Sequence, residues 1–118
     1  MHINRIGTLI TPSMVVQDKQ TQEWYLPTAT GKPSYLTFAA EWCGWCKRLA
    51  PEMEGARQKY NVRCYYLDGD NPATKALMQQ MGISGFPTIC MVLSNGKMVP
   101  YGGGRTAHEL ALALGQAF

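Results

Sequence analysis

The chain has 118 residues, 46% of them apolar and 16% charged, which is enough for one folded domain with its own core and excludes a disordered segment. A net charge of +3 with no long basic run argues against nucleic-acid binding, and no apolar run approaches the ~18 residues that a membrane span needs. The four cysteines, Cys43, Cys46, Cys64 and Cys90, are too sparse for a disulfide-stapled scaffold.

Residues 1–16 are mixed, with β-prone pieces around Leu9–Ile10 and Met14–Val16. Thr8, Thr11, Pro12 and Ser13 interrupt any apolar run there, so no secretory signal peptide is expected. The expected location is therefore cytoplasmic, with an oxidising compartment reserved for a chain that has already been processed. Residues 17–33 are polar and punctuated by Pro27, Gly31 and Pro33; a short helix is expected near Asp18–Leu26. The apolar run from Ser34 to Ala39 then predicts a buried strand. A helix is expected from Cys43 to about Tyr60, because Leu49, Met53, Ala56 and Tyr60 recur at helical spacing on one face. Pro51 lies inside that pattern and should kink it.

Val62 to Leu67 predicts the next strand. Asn71 and Pro72 suit the N-cap and first position of a second helix that Gly82 ends. Thr88 to Leu93 predicts a strand, Asn95-Gly96 a two-residue hairpin turn, and Lys97 to Tyr101 the return strand. Gly102, Gly103 and Gly104 permit a bend. Thr106 and Glu109 form a capping box, opening a last helix whose Ala107, Leu110, Leu114 and Ala117 share a face. The expected order is β-α-β-α-β-β-α after a β-start: an α/β domain over 1–118, with a mixed central sheet of four to five strands and helices on both faces. Residues 1–33 form its N-terminal extension.

The chemistry concentrates in Trp42-Cys43-Gly44-Trp45-Cys46-Lys47, at the join of a strand and a helix. A sulfur at a helix N-terminus faces unpaired N–H groups and the positive end of the helix dipole, which favour the thiolate and should lower the pKa of Cys43. Cys46, three residues on, is within disulfide range on the same face. The expectation is an exposed attacking thiolate, Cys43, and a shielded resolving partner, Cys46. A metal half-site is the bland alternative. Two cysteines cannot complete a tetrahedral zinc site, and His2 and His108 show no ligand spacing, so no metal and no cofactor beyond the Cys43–Cys46 dithiol are expected.

The segments Phe38–Gly44, Cys46–Glu52, Gly85-Phe86-Pro87-Thr88 and Tyr101–Thr106 together resemble the thioredoxin superfamily, and in particular the thioredoxin domains of protein disulfide isomerases. The resemblance runs from about Ser34 to the C-terminus. It implies a thioredoxin fold and a thiol–disulfide oxidoreductase acting as reductase or isomerase on protein or peptide disulfides and dithiols, with a reductase or oxidase to recycle it. The alternative is a non-catalytic thioredoxin-like binding module in a larger assembly. Pro87 would be cis and abut the cysteines. Trp42, Gly44, Trp45, Phe86 and Gly103 would complete a substrate groove, and Arg105 would help Cys46 lose its proton.

The chain departs from that family in two places. The position of the usual buried carboxylate, six residues before the first cysteine, holds Thr37, so slower resolution by Cys46 is expected. Trp45 stands where isomerases carry histidine and thioredoxins proline, which predicts a redox potential between roughly −270 and −180 mV. Cys64 and Cys90 read as buried small hydrophobes; the resemblance implies a sheet order that puts their strands either side of the active-site strand, too far apart for a disulfide. Asp68 and Asp70 read as a solvated turn, and His108 as a surface residue.

Overall fold

A computed structural model describes residues 3–115. Five strands form the central sheet: β1 (Thr8–Leu9), β4 (Ser34–Ala39), β5 (Arg63–Asp68), β6 (Thr88–Val92) and β7 (Met98–Pro100), in the order β1-β5-β4-β6-β7. The pairs β1·β5 and β4·β5 are parallel, whereas β4·β6 and β6·β7 are antiparallel, so the sheet is mixed as expected. Three helices surround it: α1 (Gly44–Tyr60), α2 (Pro72–Met81) and α3 (Ala107–Gly115).

Strand alternation divides the core into two layers. Tyr35 and Ala39 of β4 pack with α1, α3 and the 3-10 turn Ile3–Ile6, through Leu49, Met53, Ala56, Leu110 and Leu114. Leu36 and Phe38 face the other way, onto Leu77 and Met78 of α2 and onto Val15 and Leu26. β4 is buried at all six positions, as a central strand covered on both faces must be.

The helix ends follow from local chemistry. Asn71 accepts the Ala73 N–H at 2.9 Å, Pro72 has no N–H to leave unpaired, and Gly82 closes α2 at φ 73°. The Thr106 hydroxyl accepts the Glu109 N–H at 3.2 Å while the Glu109 carboxylate accepts from the Thr106 N–H and hydroxyl. α1 runs unbroken through Pro51 and ends at Asn61, which is left-handed at φ 56°. Ala117 lies outside the described residues.

Three expectations need correction. The segment around Asp18–Leu26 is not a helix but a hairpin of β2 (Val16–Gln17) and β3 (Trp24–Tyr25). Asp18 organises its turn, accepting the Gln20 N–H on its carboxylate at 2.8 Å and the Gln22 N–H on its carbonyl at 2.8 Å, with Gln22 at φ 65°. The Asn95-Gly96 turn is a three-residue loop: only Gly96 is left-handed (φ 89°), the Gly96 N–H donates to Leu93 O, and the Leu93 N–H donates to Lys97 O. Asn95 serves through its side chain instead, accepting the Lys97 N–H at 3.0 Å. Tyr60 is 45% exposed rather than core, because α1 runs past the sheet there; its ring lies 5.9 Å from that of the exposed His108.

Candidate functional site

The site is built where β4 delivers the chain into α1. A turn closed by the Cys43 N–H to Ala40 O (3.1 Å) places Cys43 at the N-cap, in extended backbone. Its Sγ accepts the Cys46 N–H at 3.2 Å, taking the role that a serine or aspartate oxygen plays at an ordinary N-cap. One of the donors left open at the helix start therefore points at this sulfur. Cys43 is 6% exposed and Cys46 is fully buried, so the nucleophile expected to be exposed is itself largely covered, and only the order of accessibility matches. All four cysteines are free thiols. The Cys46 thiol is held above its ordinary pKa, chiefly by burial and next by its hydrogen bond with the Cys43 side chain. A backbone hydrogen bond at Ala40 and the Arg105 guanidinium pull it the other way.

Aromatic rings flank this helix start. Trp42 and Trp45 are 67% and 64% exposed, and Gly44 between them is exposed too. Trp42 is nevertheless positioned: its indole N–H donates to the Asp70 carboxylate at 2.9 Å, and its ring meets Phe86 edge-to-face at 5.6 Å. Phe86 is seated on Gly69, where an added Cβ would come within 2.2 Å of the ring. The Phe86–Pro87 peptide is cis and Pro87 is buried. Since Thr88 pairs with Phe38, Pro87 precedes β6 at the same sheet end from which Ala40–Cys43 leaves β4.

The segment between β7 and α3 closes the site on the α1 side. Tyr101 packs edge-to-face on Tyr35 at 5.2 Å, and its hydroxyl donates to Gly104 O. The buried Tyr35 hydroxyl donates to Leu110 O at 2.7 Å, and Glu52 of α1 accepts the Ala107 N–H at 2.9 Å. Arg105, held in this segment, shares a shallow pocket with Trp45, Arg48 and Leu49. Gly103 is exposed, and a Cβ there would meet the Tyr101 hydroxyl at 2.8 Å. The structure thus joins Trp42 to Phe86, which precedes the cis Pro87, and gathers Trp45 and Arg105 in one pocket, with Arg105 acting electrostatically on Cys46. Gly103 lies against Tyr101.

Sequence reasoning missed Asp70, Gly69, Glu52 and Arg48. Asp68 does belong to a turn, accepting the Asp70 N–H at 2.9 Å, but Asp70 reaches Trp42 across 28 residues of sequence. Thr37 is fully buried, its hydroxyl has no hydrogen-bond partner among the described residues, and strand alternation puts it on the α1 face. Cys64 and Cys90 are buried as expected, and burial pushes their thiols up to about 12 and about 11. Cys64 pairs in register with Tyr35 and Cys90 with Leu36, so they lie on opposite faces of the sheet with β4 between them. Among the described residues no three His, Cys, Asp or Glu side chains gather as a metal site, and no helix is long and apolar enough to cross a membrane.

Comparison with known proteins places this geometry. The family model for thioredoxin matches residues 15–116. A protein disulfide-isomerase from Hordeum vulgare is 35% identical over 82 residues, covering 69% of this chain and 16% of that protein. A probable protein disulfide-isomerase A4 from Caenorhabditis elegans is 42% identical over 75 residues, 61% of this chain and 12% of that protein. The chain thus spans less than a quarter of the length of these curated relatives. Among solved structures, thioredoxin F from spinach chloroplast superposes with a TM-score of 0.62 at 25% identity, covering 93% of this chain and 91% of that one. Chloroplastic thioredoxin z superposes with a TM-score of 0.68 at 22% identity, covering 94% and 93%.

Proposed function

The chain belongs to the thioredoxin family, and from that premise we propose that it exchanges disulfides with protein substrates through Cys43 and Cys46, as a thiol–disulfide oxidoreductase. The observation that carries this reading is the Cys46 N–H directed at Cys43 Sγ across 3.2 Å at the first turn of α1. An anionic Cys43 sulfur would keep that donor and the positive end of the helix.

In the first step the Cys43 thiolate attacks one sulfur of a substrate disulfide. A Cys43–substrate disulfide forms, the substrate S–S bond breaks, and the departing sulfur takes a proton from solvent. Cys46 then loses its proton and attacks Cys43 Sγ, closing the Cys43–Cys46 disulfide and releasing the second substrate thiolate. The substrate gains two electrons and the chain loses two, and the proton lost by Cys46 balances the one taken up by the first departing sulfur. A dithiol reductant restores the pair, and an oxidant run through the same steps in reverse makes it a disulfide donor; the compartment's redox poise sets the direction.

The second step is the demanding one. Burial holds the proton on Cys46, whereas the Ala40 backbone and the Arg105 guanidinium favour its loss. Arg105 is assigned that catalytic role here, with no cofactor beyond the dithiol. Trp42, Gly44, Trp45, Phe86 and Pro87 are assigned to the surface on which an extended substrate lies.

The test is insulin reduction by dithiothreitol, followed by turbidity. Wild type should accelerate precipitation and Cys43→Ser should not. Identical curves for the two would replace the oxidoreductase reading with that of a non-catalytic binding module.

A further inference from the structure

Trp45, Arg48 and Leu49 on the first turns of α1 and Arg105 before α3 surround a pocket immediately beside the exchange cysteines. The Arg48 guanidinium carbon lies 4.8 Å from the centre of the Trp45 ring, so the aromatic face holds the guanidinium while its in-plane N–H donors stay available. Arg105 is close enough to Cys46 to act on it electrostatically.

Neither arginine has a carboxylate partner among the described residues, whose ion pairs join Arg5 to Glu54 and Lys97 to Glu23. The Glu52 and Glu109 carboxylates accept from the Ala107 N–H and the Thr106 hydroxyl. Two cations therefore share one recess with an aromatic wall, and neither is ion-paired to a carboxylate among the described residues.

We propose that this pocket is a subsite for a carboxylate side chain of the substrate, so that the chain selects protein disulfides whose reacting cysteine lies close in sequence to an Asp or Glu. The proposal rests on the oxidoreductase reading and adds the substrate class. The register is consistent with it. Trp45 lies between the two cysteines and Arg48 two residues beyond, while an extended substrate advances about 3.3 Å per residue, so a side chain two or three positions from the reacting cysteine is within reach. A carboxylate there would meet two guanidinium forks and relieve the repulsion between them.

The experiment uses one disulfide-linked peptide in three versions, with Glu, Gln or Lys two residues from its cysteine, and reads kcat/KM for each. With wild type the Glu peptide should exceed the Gln peptide about three- to tenfold, the yield of one or two partly screened ion pairs. The Lys peptide should fall below both, and about 1 M salt should collapse the ranking. Arg48→Gln should shrink the Glu-to-Gln ratio, and Arg48→Glu should invert it in favour of Lys. A wild-type ratio of one, or a ratio unmoved by Arg48→Glu, overturns the subsite. Glutathione disulfide, run in parallel, separates a small carboxylate-bearing substrate from a peptide: an Arg48 effect confined to glutathione also overturns it. Dissociation constants of the three peptides for Cys43→Ser read the same ranking without chemistry. Failure of wild type to reduce even the Gln peptide therefore removes the oxidoreductase reading while the binding ranking still decides the pocket.

Discussion

Cys43 and Cys46 at the start of α1, and Cys64 and Cys90 in the middle of the sheet, are buried to nearly the same degree: 6% and 0% exposed against 4% and 6%. Burial alone cannot separate them. What differs is the backbone around each sulfur. In β5 and β6 the N–H groups are spent on neighbouring strands, so among the described residues Cys64 Sγ meets Met53 Sδ at 3.8 Å and Val62 O at 4.0 Å, neither of which donates to it. At the N-terminus of a helix the first N–H groups have no carbonyl to bond, and one of them turns to Cys43. On the proposed reading, a sulfur becomes an exchange centre here through the donors left over by secondary structure.

Alkylation of the native chain gives the largest test of that contrast. With thiols pushed up to about 12 and about 11, Cys64 and Cys90 should be thiolate only to roughly one part in ten thousand or less at pH 7, and should react at least about a hundredfold more slowly than an ordinary free cysteine. Peptide mapping after a short pulse of iodoacetamide should therefore find label on Cys43 and none on the sheet cysteines. Label on Cys64 at a comparable rate would erase the distinction.

The same two thiols should shape alkaline stability. Below about pH 9 they are protonated in both the folded and the unfolded chain, and their contribution is fully present. As pH rises above 9 the unfolded chain ionises first while the folded one holds its protons, so stability falls toward pH 11 to 12, by about 1.4 kcal/mol per pH unit for each thiol. The buried Tyr35, also pushed up, should add to the loss above about pH 10. Urea denaturation at pH 8, 9 and 10 should show the slope, and Cys64→Ala should reduce it. At neutral pH that variant should cost about 1–2 kcal/mol, from the gap left beside Met53, while insulin reduction stays at the wild-type rate. A large loss of activity would tie the sheet cysteines to exchange.

The smallest expected effect concerns Thr37. A carboxylate in its place would stand on the α1 face as a base for Cys46, and stopped-flow measurement of the second exchange step should show a few-fold acceleration in Thr37→Glu, at some cost in stability for a buried acid. No acceleration would mean that the Ala40 backbone and Arg105 already suffice.

Residues from Ser34 onward were legible because their signals are local and repeated. An apolar run marks β4, helical spacing marks α1, Asn71-Pro72 and Gly82 bound α2, and Thr106 with Glu109 opens α3. The first 33 residues lack such signals. Strands of two residues have no periodicity to detect, and the Asp18 turn reads as polar spacing until its hydrogen bonds are seen. The cysteine pair and Pro87 were marked by motif, but their surroundings were not. Asp70 matters through Trp42, Gly69 through Phe86 and Glu52 through Ala107, and each partner is distant in sequence. Asn95 misled for a different reason: it tolerates the left-handed region but here is used as a side-chain acceptor.

The segment from Tyr101 to Ala107 is fastened at both ends, at one by the Tyr101 hydroxyl on Gly104 O and at the other by Glu52 on the Ala107 N–H. Arg105 is thereby a short boom on a fixed mast: any movement of its charged tip is left to side-chain torsions. Its range is then set by stem length, so lysine in its place would preserve the swing and surrender the two-pronged grip.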